Sequence, residues 1–126
     1  MTLANRVASE LGMGKVGEGP VGYRVRFEEK LSHATRIKFV TDGMLLREAI
    51  IDRVLNQYSV VLLDEAHERT VNSDVLLALL KEISQKRGPK NDFKVVVMSA
   101  TLDVDKFASY FSSNVLVSVE GRTFPI

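Results

Sequence analysis

Two adjacent carboxylates, Asp64 and Glu65, follow directly after the apolar run at 60–63. If that run is a buried strand, burying both charges costs free energy unless a cation compensates them. Mg²⁺ is such a cation, because an aspartate at the end of a strand is a typical magnesium partner in nucleotide hydrolysis, and the next acid can orient the attacking water. The other interpretation is an acidic loop that caps a helix. The residue types alone leave both interpretations open.

Hydroxyl-bearing residues follow two further apolar runs. Ser99 and Thr101 come after one of them, where a strand exit with local hydroxyl hydrogen bonds is the simplest interpretation. Thr41, Asp42 and Gly43 come after the other and are typical of a capped helix start. A hydroxyl and exposed N–H groups at such a start also suit a nucleic-acid phosphate. These residues are therefore candidate binding groups as well as structural ones.

Alternating strands and helices must position these residues. Hydrophobic periodicity predicts helices at about 2–11, 44–55, 74–86 and 103–111, and strands at about 23–28, 37–40, 59–63, 94–98 and 115–119. Thr41, Ser73 and Asp103 are the predicted helix caps. Short apolar strands separated by amphipathic helices predict an α/β fold, with a mostly parallel sheet covered by helices on both faces. Ligands of such folds bind beyond the carboxyl ends of the strands, which is where the candidate residues lie.

Composition sets limits on the class of protein. With 126 residues, 45% of them hydrophobic, the chain fits one globular domain. A formal charge of +1 neither indicates nor excludes a nucleic-acid partner. The absence of cysteine excludes disulfides and thiolate metal sites, and fits a reducing, intracellular compartment. No apolar run approaches the roughly 20 residues that span a bilayer, so no membrane partner is expected.

Several segments together resemble one protein family, the DEAH-box ATP-dependent RNA helicases of superfamily 2. The matching segments are VGYRVRFEE at 21–29, TDGMLLRE at 41–48, DEAHERT at 64–70, SAT at 99–101 and GRTFPI at 121–126. They occur in the family's order and cover essentially the whole chain, and DEAHERT and TDGMLLRE are highly specific. The resemblance implies that residues 1–126 are part of the first RecA-like domain, the ATP-binding domain of the P-loop NTPase type.

The resemblance also implies roles in ATP hydrolysis. Asp64 would hold Mg²⁺ mainly through water, and Glu65 would be the catalytic acid–base residue beside the metal. His67 would link the state of the nucleotide to the neighbouring domain. Ser99 and Thr101 would couple hydrolysis to movement along the strand of nucleic acid. The implied cofactor is Mg²⁺ with ATP, in the complete parent domain.

Single-stranded RNA is the partner that the resemblance implies. Thr41, with Asp42 and Gly43, would contact the RNA backbone, and Arg26 would approach it from a hook-shaped turn. An isolated arginine on a short strand is more often solvated or paired on the surface, so the assignment of Arg26 depends on the neighbouring motifs. Contacts of this type do not read bases, so little sequence preference is expected.

A phosphate-binding loop of the form Gly-x-x-x-x-Gly-Lys-Ser/Thr does not occur in the 126 residues. The segment GMGKV at 12–16 imitates part of it, but it follows a helix and has Val16 where a hydroxyl is needed. In the family this loop, motif Ia and the central strand precede residue 1, and a second RecA-like domain and the C-terminal helicase domains follow Ile126. We therefore expect an N-terminally truncated domain.

Three interpretations of such a chain follow. As a fragment of an RNA helicase, it would have negligible ATPase activity alone, while its parent hydrolyses ATP to translocate along RNA and unwind it. As a truncated isoform, it would be a non-enzymatic RNA-binding or regulatory module. As a mere piece of a longer helicase, it would have no independent function.

Overall fold

The computed structural model describes residues 2–87, 92–100 and 104–110. Helices and strands alternate along them, as predicted for an α/β fold. The elements are α1 (Thr2–Leu11), β1 (Val21–Val25), β2 (Glu28–Lys30), β3 (Ile37–Val40), α2 (Asp42–Ile51), β4 (Val60–Leu63), a 3₁₀ turn (Ala66–Glu68), α3 (Val71–Arg87), β5 (Lys94–Val97) and α4 (Val104–Tyr110). The predicted cap Asp103, the strand at 115–119 and the segment at 121–126 lie outside the described residues. None of the described helices has the length and apolar character needed to cross a bilayer.

The described strands form two sheets, not the single sheet that was predicted. In the first, β1 lies between β2 and β3, antiparallel to β2 and parallel to β3. In the second, β4 and β5 are parallel, with Leu63 opposite Val97. The predicted strand at 23–28 is interrupted by a turn at Arg26 and Phe27. Because this turn is only two residues long, β1 and β2 can pair only in the antiparallel sense.

The main hydrophobic core joins α2 and α3 to one face of β4. Its buried members are Leu45, Ala49, Leu55, Val61, Leu63, Leu76, Leu77, Leu80 and Ile83. The apolar run at 60–63 predicted burial on both faces of the sheet, but Val60 and Leu62 are 44% and 60% exposed. The prediction of helices on both faces is therefore wrong for β4 within the described residues. A smaller core packs α1 against β1 through Ala4, Ala8, Val21 and Tyr23.

Helix α2 has the predicted cap, but it begins two residues before the predicted start at 44 and also ends earlier. Thr41 is its N-cap, in an extended conformation, and its Oγ1 accepts a hydrogen bond from the Met44 N–H at 3.4 Å. The helix stops at Ile51 instead of continuing to residue 55. Asp52 turns the chain there, because its carboxylate accepts from the N–H groups of Val54 and Asn56.

Helix α3 begins three residues before the predicted start. Thr70 caps it in place of Ser73, since Thr70 Oγ1 accepts a hydrogen bond from the Ser73 N–H at 3.1 Å. Ser73 lies inside the helix, and its buried hydroxyl has no hydrogen-bond partner among the described residues. Thr70 and Ser73 are both good cap residues, and the sequence pattern alone favoured the wrong one.

Candidate functional site

Asp64 and Glu65 occupy a strained turn at the end of β4. The Asp64 carboxylate accepts a hydrogen bond from the Glu65 N–H at 2.8 Å. Glu65 has φ 56° and ψ 36°, and Arg69 after the 3₁₀ turn has φ 50°, so both adopt the left-handed conformation. A side chain other than glycine costs roughly 1–2 kcal/mol in this conformation. Such strain concentrates at functional sites, where the surrounding structure enforces it.

The hydrogen-bond ladder of β4 and β5 continues into this turn. The Met98 N–H donates to the Leu63 carbonyl at 2.8 Å, and the Ala66 N–H donates to the Met98 carbonyl at 3.0 Å. Ala66 is fully buried and anchors the turn. Ser99 follows Met98 directly, so the ladder brings it to the same end of the sheet as Asp64 and Glu65.

Both carboxylates are exposed to solvent. The desolvation cost from which a metal was first inferred is therefore absent in this structure. The described residues contain no group of three or more metal-ligating side chains. Mg²⁺ is commonly held by one or two carboxylates together with waters and substrate phosphates. Asp64 and Glu65 fit a magnesium ion that binds with a nucleotide, and they do not fit a metal held by the protein alone.

Two candidate residues of this site are described only in part or not at all. His67 is the middle residue of the 3₁₀ turn at Ala66–Glu68, and this turn follows the carboxylate pair. Thr101 lies outside the described residues. The neighbouring Arg69 donates to the Asp74 carboxylate at 2.7 Å, which ties the end of the turn to the first turn of α3.

The second candidate site is the open N-terminus of α2. Thr41, Asp42 and Gly43 are all exposed, and a Cβ atom built on Gly43 would meet nothing within 4 Å. An anion can therefore approach the first backbone N–H groups of the helix. Asp42 places a carboxylate in the first turn of the helix. This carboxylate interacts favourably with the helix dipole and repels a phosphate. A phosphate contact by Asp42 would therefore use its N–H and not its side chain.

Parallel pairing brings Arg26 to the same edge as this helix start. Arg24 of β1 pairs with Val40 of β3, so both strands end together and lead into Arg26 and Thr41. Arg26 is exposed and forms no ion pair within the described part of the chain. Its guanidinium lies 5.0 Å from the centre of the Phe27 ring. This edge therefore carries a cation, an aromatic ring and a helix N-terminus.

The sequence of the chain is similar to segments of known proteins. The chain is 52% identical over 128 residues to the ATP-dependent RNA helicase DHX33 of Drosophila melanogaster and 52% identical over 130 residues to DHX33 of Mus musculus. It is 49% identical over 137 residues to a Homo sapiens protein named Probable ATP-dependent RNA helicase DHX35. Each match covers 100% of this chain. The chain is homologous to a segment of DEAH-box RNA helicases.

The predicted family resemblance is thereby confirmed. No protein-family model matches the chain. The segment spans only 18–19% of the length of these three relatives. The relatives' names therefore describe proteins about five times as long as the chain, and their activities come to this chain only as a proposal.

A network of charged and polar side chains lies behind the start of α2. Glu48 of α2 is buried, and its carboxylate accepts hydrogen bonds from Lys38 Nζ at 3.1 and 3.2 Å and from Gln57 Nε2 at 2.9 Å. The Tyr58 hydroxyl donates to the same carboxylate and accepts from Lys38 Nζ at 2.7 Å. Arg24 adds a longer ion pair at 3.7 Å. Glu48 thus ties α2 to β1, to β3 and to the loop before β4.

The network also perturbs Tyr58. Burial and the hydrogen bond to the Glu48 carboxylate raise the pKa of the Tyr58 phenol well above its ordinary value. The phenol therefore stays protonated in the folded chain and remains a hydrogen-bond donor to Glu48.

Reasoning from the sequence missed this network, although a signal for it was present. Glu48 is three residues after Leu45 and next to Ala49, on the face of α2 that enters the core. Lys38 is likewise the only charged residue of β3, whose other members are apolar. A carboxylate on a buried helix face and a cation in an apolar strand indicate a buried ion pair.

Proposed function

We propose that the chain is part of the first RecA-like domain of an ATP-dependent RNA helicase, spanning residues 1–126 and lacking the phosphate-binding loop and motif Ia. The main support is the strained Asp64–Glu65 turn, which the ladder between β4 and β5 holds at the strand end from which Ser99 follows. The homologous relatives, all named as ATP-dependent RNA helicases, support the same assignment. The parent protein would hydrolyse ATP to translocate along RNA and unwind it.

The end of β4 would form half of an ATPase site. Asp64 would hold Mg²⁺ through water with the oxygen that does not accept the Glu65 N–H, and Glu65 would lie beside the ion. Bound Mg²⁺ would neutralise charge on the phosphate oxygens. Glu65 would orient the attacking water and accept its proton. His67 would transmit the state of the nucleotide to the second RecA-like domain, and Ser99 and Thr101 would couple hydrolysis to movement.

The edge formed by Arg26 and the start of α2 would bind single-stranded RNA. Thr41 and the N–H groups of Asp42 and Gly43 would contact one phosphate, and Arg26 would contact another. The ring of Phe27 and the cation of Arg26 are exposed side by side at this edge. A parent protein of this kind would act in the nucleus or the cytoplasm, where RNA is processed.

Alone, the chain would have negligible ATPase activity. Its 126 residues contain no Gly-x-x-x-x-Gly-Lys-Ser/Thr segment to hold the β- and γ-phosphates. The residues that face RNA are nevertheless present. We therefore expect the chain to retain weak RNA affinity that does not depend on nucleotide, which is also what a non-enzymatic RNA-binding isoform would have.

RNA-stimulated ATP hydrolysis tests the proposal. It is measured for the 126-residue chain, for a longer chain that includes a phosphate-binding loop, and for the Glu65→Gln variant of each. Activity only in the longer chain, lost in its Glu65→Gln variant, is the expected result. Activity in the 126-residue chain that Glu65→Gln abolishes would show that another segment binds the phosphates. Activity that Glu65→Gln leaves unchanged would refute the catalytic role of this residue.

A further inference from the structure

Phe27 is the most exposed large apolar residue among those described, at 89%. It lies in the two-residue turn between β1 and β2, directly after Arg26. A single exposed apolar residue is ordinary in a soluble protein. What distinguishes Phe27 is the guanidinium of Arg26, 5.0 Å from the centre of its ring. One face of the ring therefore already carries a cation.

We propose that the free face of the Phe27 ring is a stacking platform for a nucleobase of single-stranded RNA. The inference deepens the proposed function, on which it rests, by adding a base contact to the backbone contacts of Arg26 and Thr41. Base–aromatic stacking tolerates any sequence, because every base has a π-face. Arg26 on the opposite face adds cation–π attraction to the stack and is also within reach of an adjacent phosphate.

The position of the turn supports this ligand. The pairing of Arg24 with Val40 leads β1 and β3 to one edge, so the turn and the N-terminus of α2 are neighbours. We expect a nucleic-acid strand whose phosphate lies at Thr41 to place a nearby base at Phe27. The Phe27 ring and the N-terminus of α2 would then contact the same strand of nucleic acid.

The acidic residues after the turn are both held by side chains other than Arg26. The Tyr23 hydroxyl donates to the Glu28 carboxylate at 2.6 Å. Glu29 lies 3.5 Å from the guanidinium of Arg24. Arg26 has no such partner within the described residues, so its charge remains available to an anion.

A protein partner fits the same ring less well. Protein-binding sites are contiguous apolar patches. Phe27 instead lies between Arg26 and Glu28, and the nearest apolar residue in the chain, Val25, is half-buried against the smaller core. An isolated ring beside a cation suits a nucleobase, which is flat, and an adjacent phosphate, which is anionic.

Tryptophan fluorescence gives a direct test, because the chain contains no tryptophan. The Phe27→Trp variant is titrated with a single-stranded oligouridylate of about 12 nucleotides, a length within the usual range of single-strand sites. Stacking should quench its emission. The control is Ile51→Trp, since Ile51 is 88% exposed and lies at the opposite end of α2 from Thr41. Its emission should not change.

Affinity measurements with dye-labelled oligouridylate separate the base contact from the phosphate contact. Phe27→Ala should weaken binding about 5- to 150-fold, with an unchanged dependence on salt. Phe27→Tyr should retain the affinity, because it keeps the aromatic face. Arg26→Ala should lower the slope of log K against log salt by about 1. An abasic oligonucleotide of equal length should not quench the Phe27→Trp variant.

Two results would overturn the inference, and they are distinguishable. If labelled RNA binds the chain, but Phe27→Ala binds equally well and Phe27→Trp is not quenched, the stacking platform is refuted and the RNA interface stands. If the unaltered chain does not bind the oligonucleotide at all, both the platform and the proposed RNA interface are refuted.

Discussion

Replacing Glu48 by alanine should destabilise the chain more than removal of any exposed carboxylate. Lys38, Gln57 and Tyr58 all direct hydrogen bonds at the Glu48 carboxylate, which is 7% exposed, while the Lys38 side chain is 13% exposed. The alanine variant leaves the mostly buried Lys38 ammonium with no anion among these residues. Breaking a buried pair by removing one partner costs about 3–5 kcal/mol. Because several hydrogen bonds are lost together, we expect a value within that range.

Exposed Glu82 provides a matched control. Its carboxylate is 57% exposed and pairs with Lys86 at 2.8 Å, one helical turn away on α3. Exposed pairs of this type are screened by solvent and contribute little to stability, so Glu82→Ala should have little effect. A double variant, Lys38→Met with Glu48→Leu, replaces the buried pair by apolar side chains. Its stability should lie well above that of Glu48→Ala, since no uncompensated charge remains.

Urea unfolding followed by far-ultraviolet circular dichroism measures these differences. For m of about 1.5–2 kcal/mol/M, a loss of about 3–5 kcal/mol lowers the midpoint by about 2 M. The reasoning is refuted if Glu48→Ala and Glu82→Ala lose similar amounts, or if the double variant is as unstable as Glu48→Ala. Either result would mean that the carboxylate is not the anchor of α2.

Three further changes test other parts of the structure. Thr41→Ala removes the N-cap of α2 and should cost about 1 kcal/mol in urea unfolding, whereas Thr41→Ser should cost little; equal losses would refute the cap. Glu65→Asn should be about 1 kcal/mol more stable than Glu65→Gln, because asparagine tolerates the left-handed conformation; equal stability would contradict the strain. The raised pKa of Tyr58 means that the unfolded phenol ionises first, so stability should fall as pH rises above about 10. Tyr58→Phe should lack this part of the alkaline loss, and an identical pH profile would contradict the buried hydrogen bond.

The elements that local chemistry determines were predictable from the sequence. Helix α1 and strand β3 have the predicted ends, and Thr41 caps α2 as expected. Each of these boundaries is marked by a nearby residue, such as a cap hydroxyl or the glycine after α1. Where two candidates compete for one role, as Thr70 and Ser73 do at the start of α3, propensity does not separate them. The cap is then decided by which hydroxyl faces the first free N–H groups.

The exposure of strands and the position of turns depend on tertiary contacts, which hydrophobic periodicity does not reveal. The apolar run at 60–63 has the same sequence whether it is covered on two faces or on one, so the exposure of Leu62 could not be predicted. The turn at Arg26 and Phe27 has no glycine, proline or asparagine to mark it, and the alternating pattern continues through it. This unmarked turn is what leaves Phe27 exposed beside Arg26.

The candidate ATPase site also has features that the sequence predicts and features that depend on tertiary contacts. That Asp64, Glu65 and Ser99 lie at the same end of two parallel strands was predictable, because parallel strands end at one edge and each residue follows an apolar run. The conformation of Glu65 was not, since a glutamate gives no local preference for φ 56°. The constraint from outside the turn is the Met98 carbonyl, which accepts a hydrogen bond from the N–H of Ala66, the fully buried residue after Glu65. The sequence therefore predicts the position of the Glu65 carboxylate along the chain, while tertiary contacts determine its conformation. Substitution of Ala66 should disturb the backbone of Glu65, even though the Ala66 side chain has no reactive group.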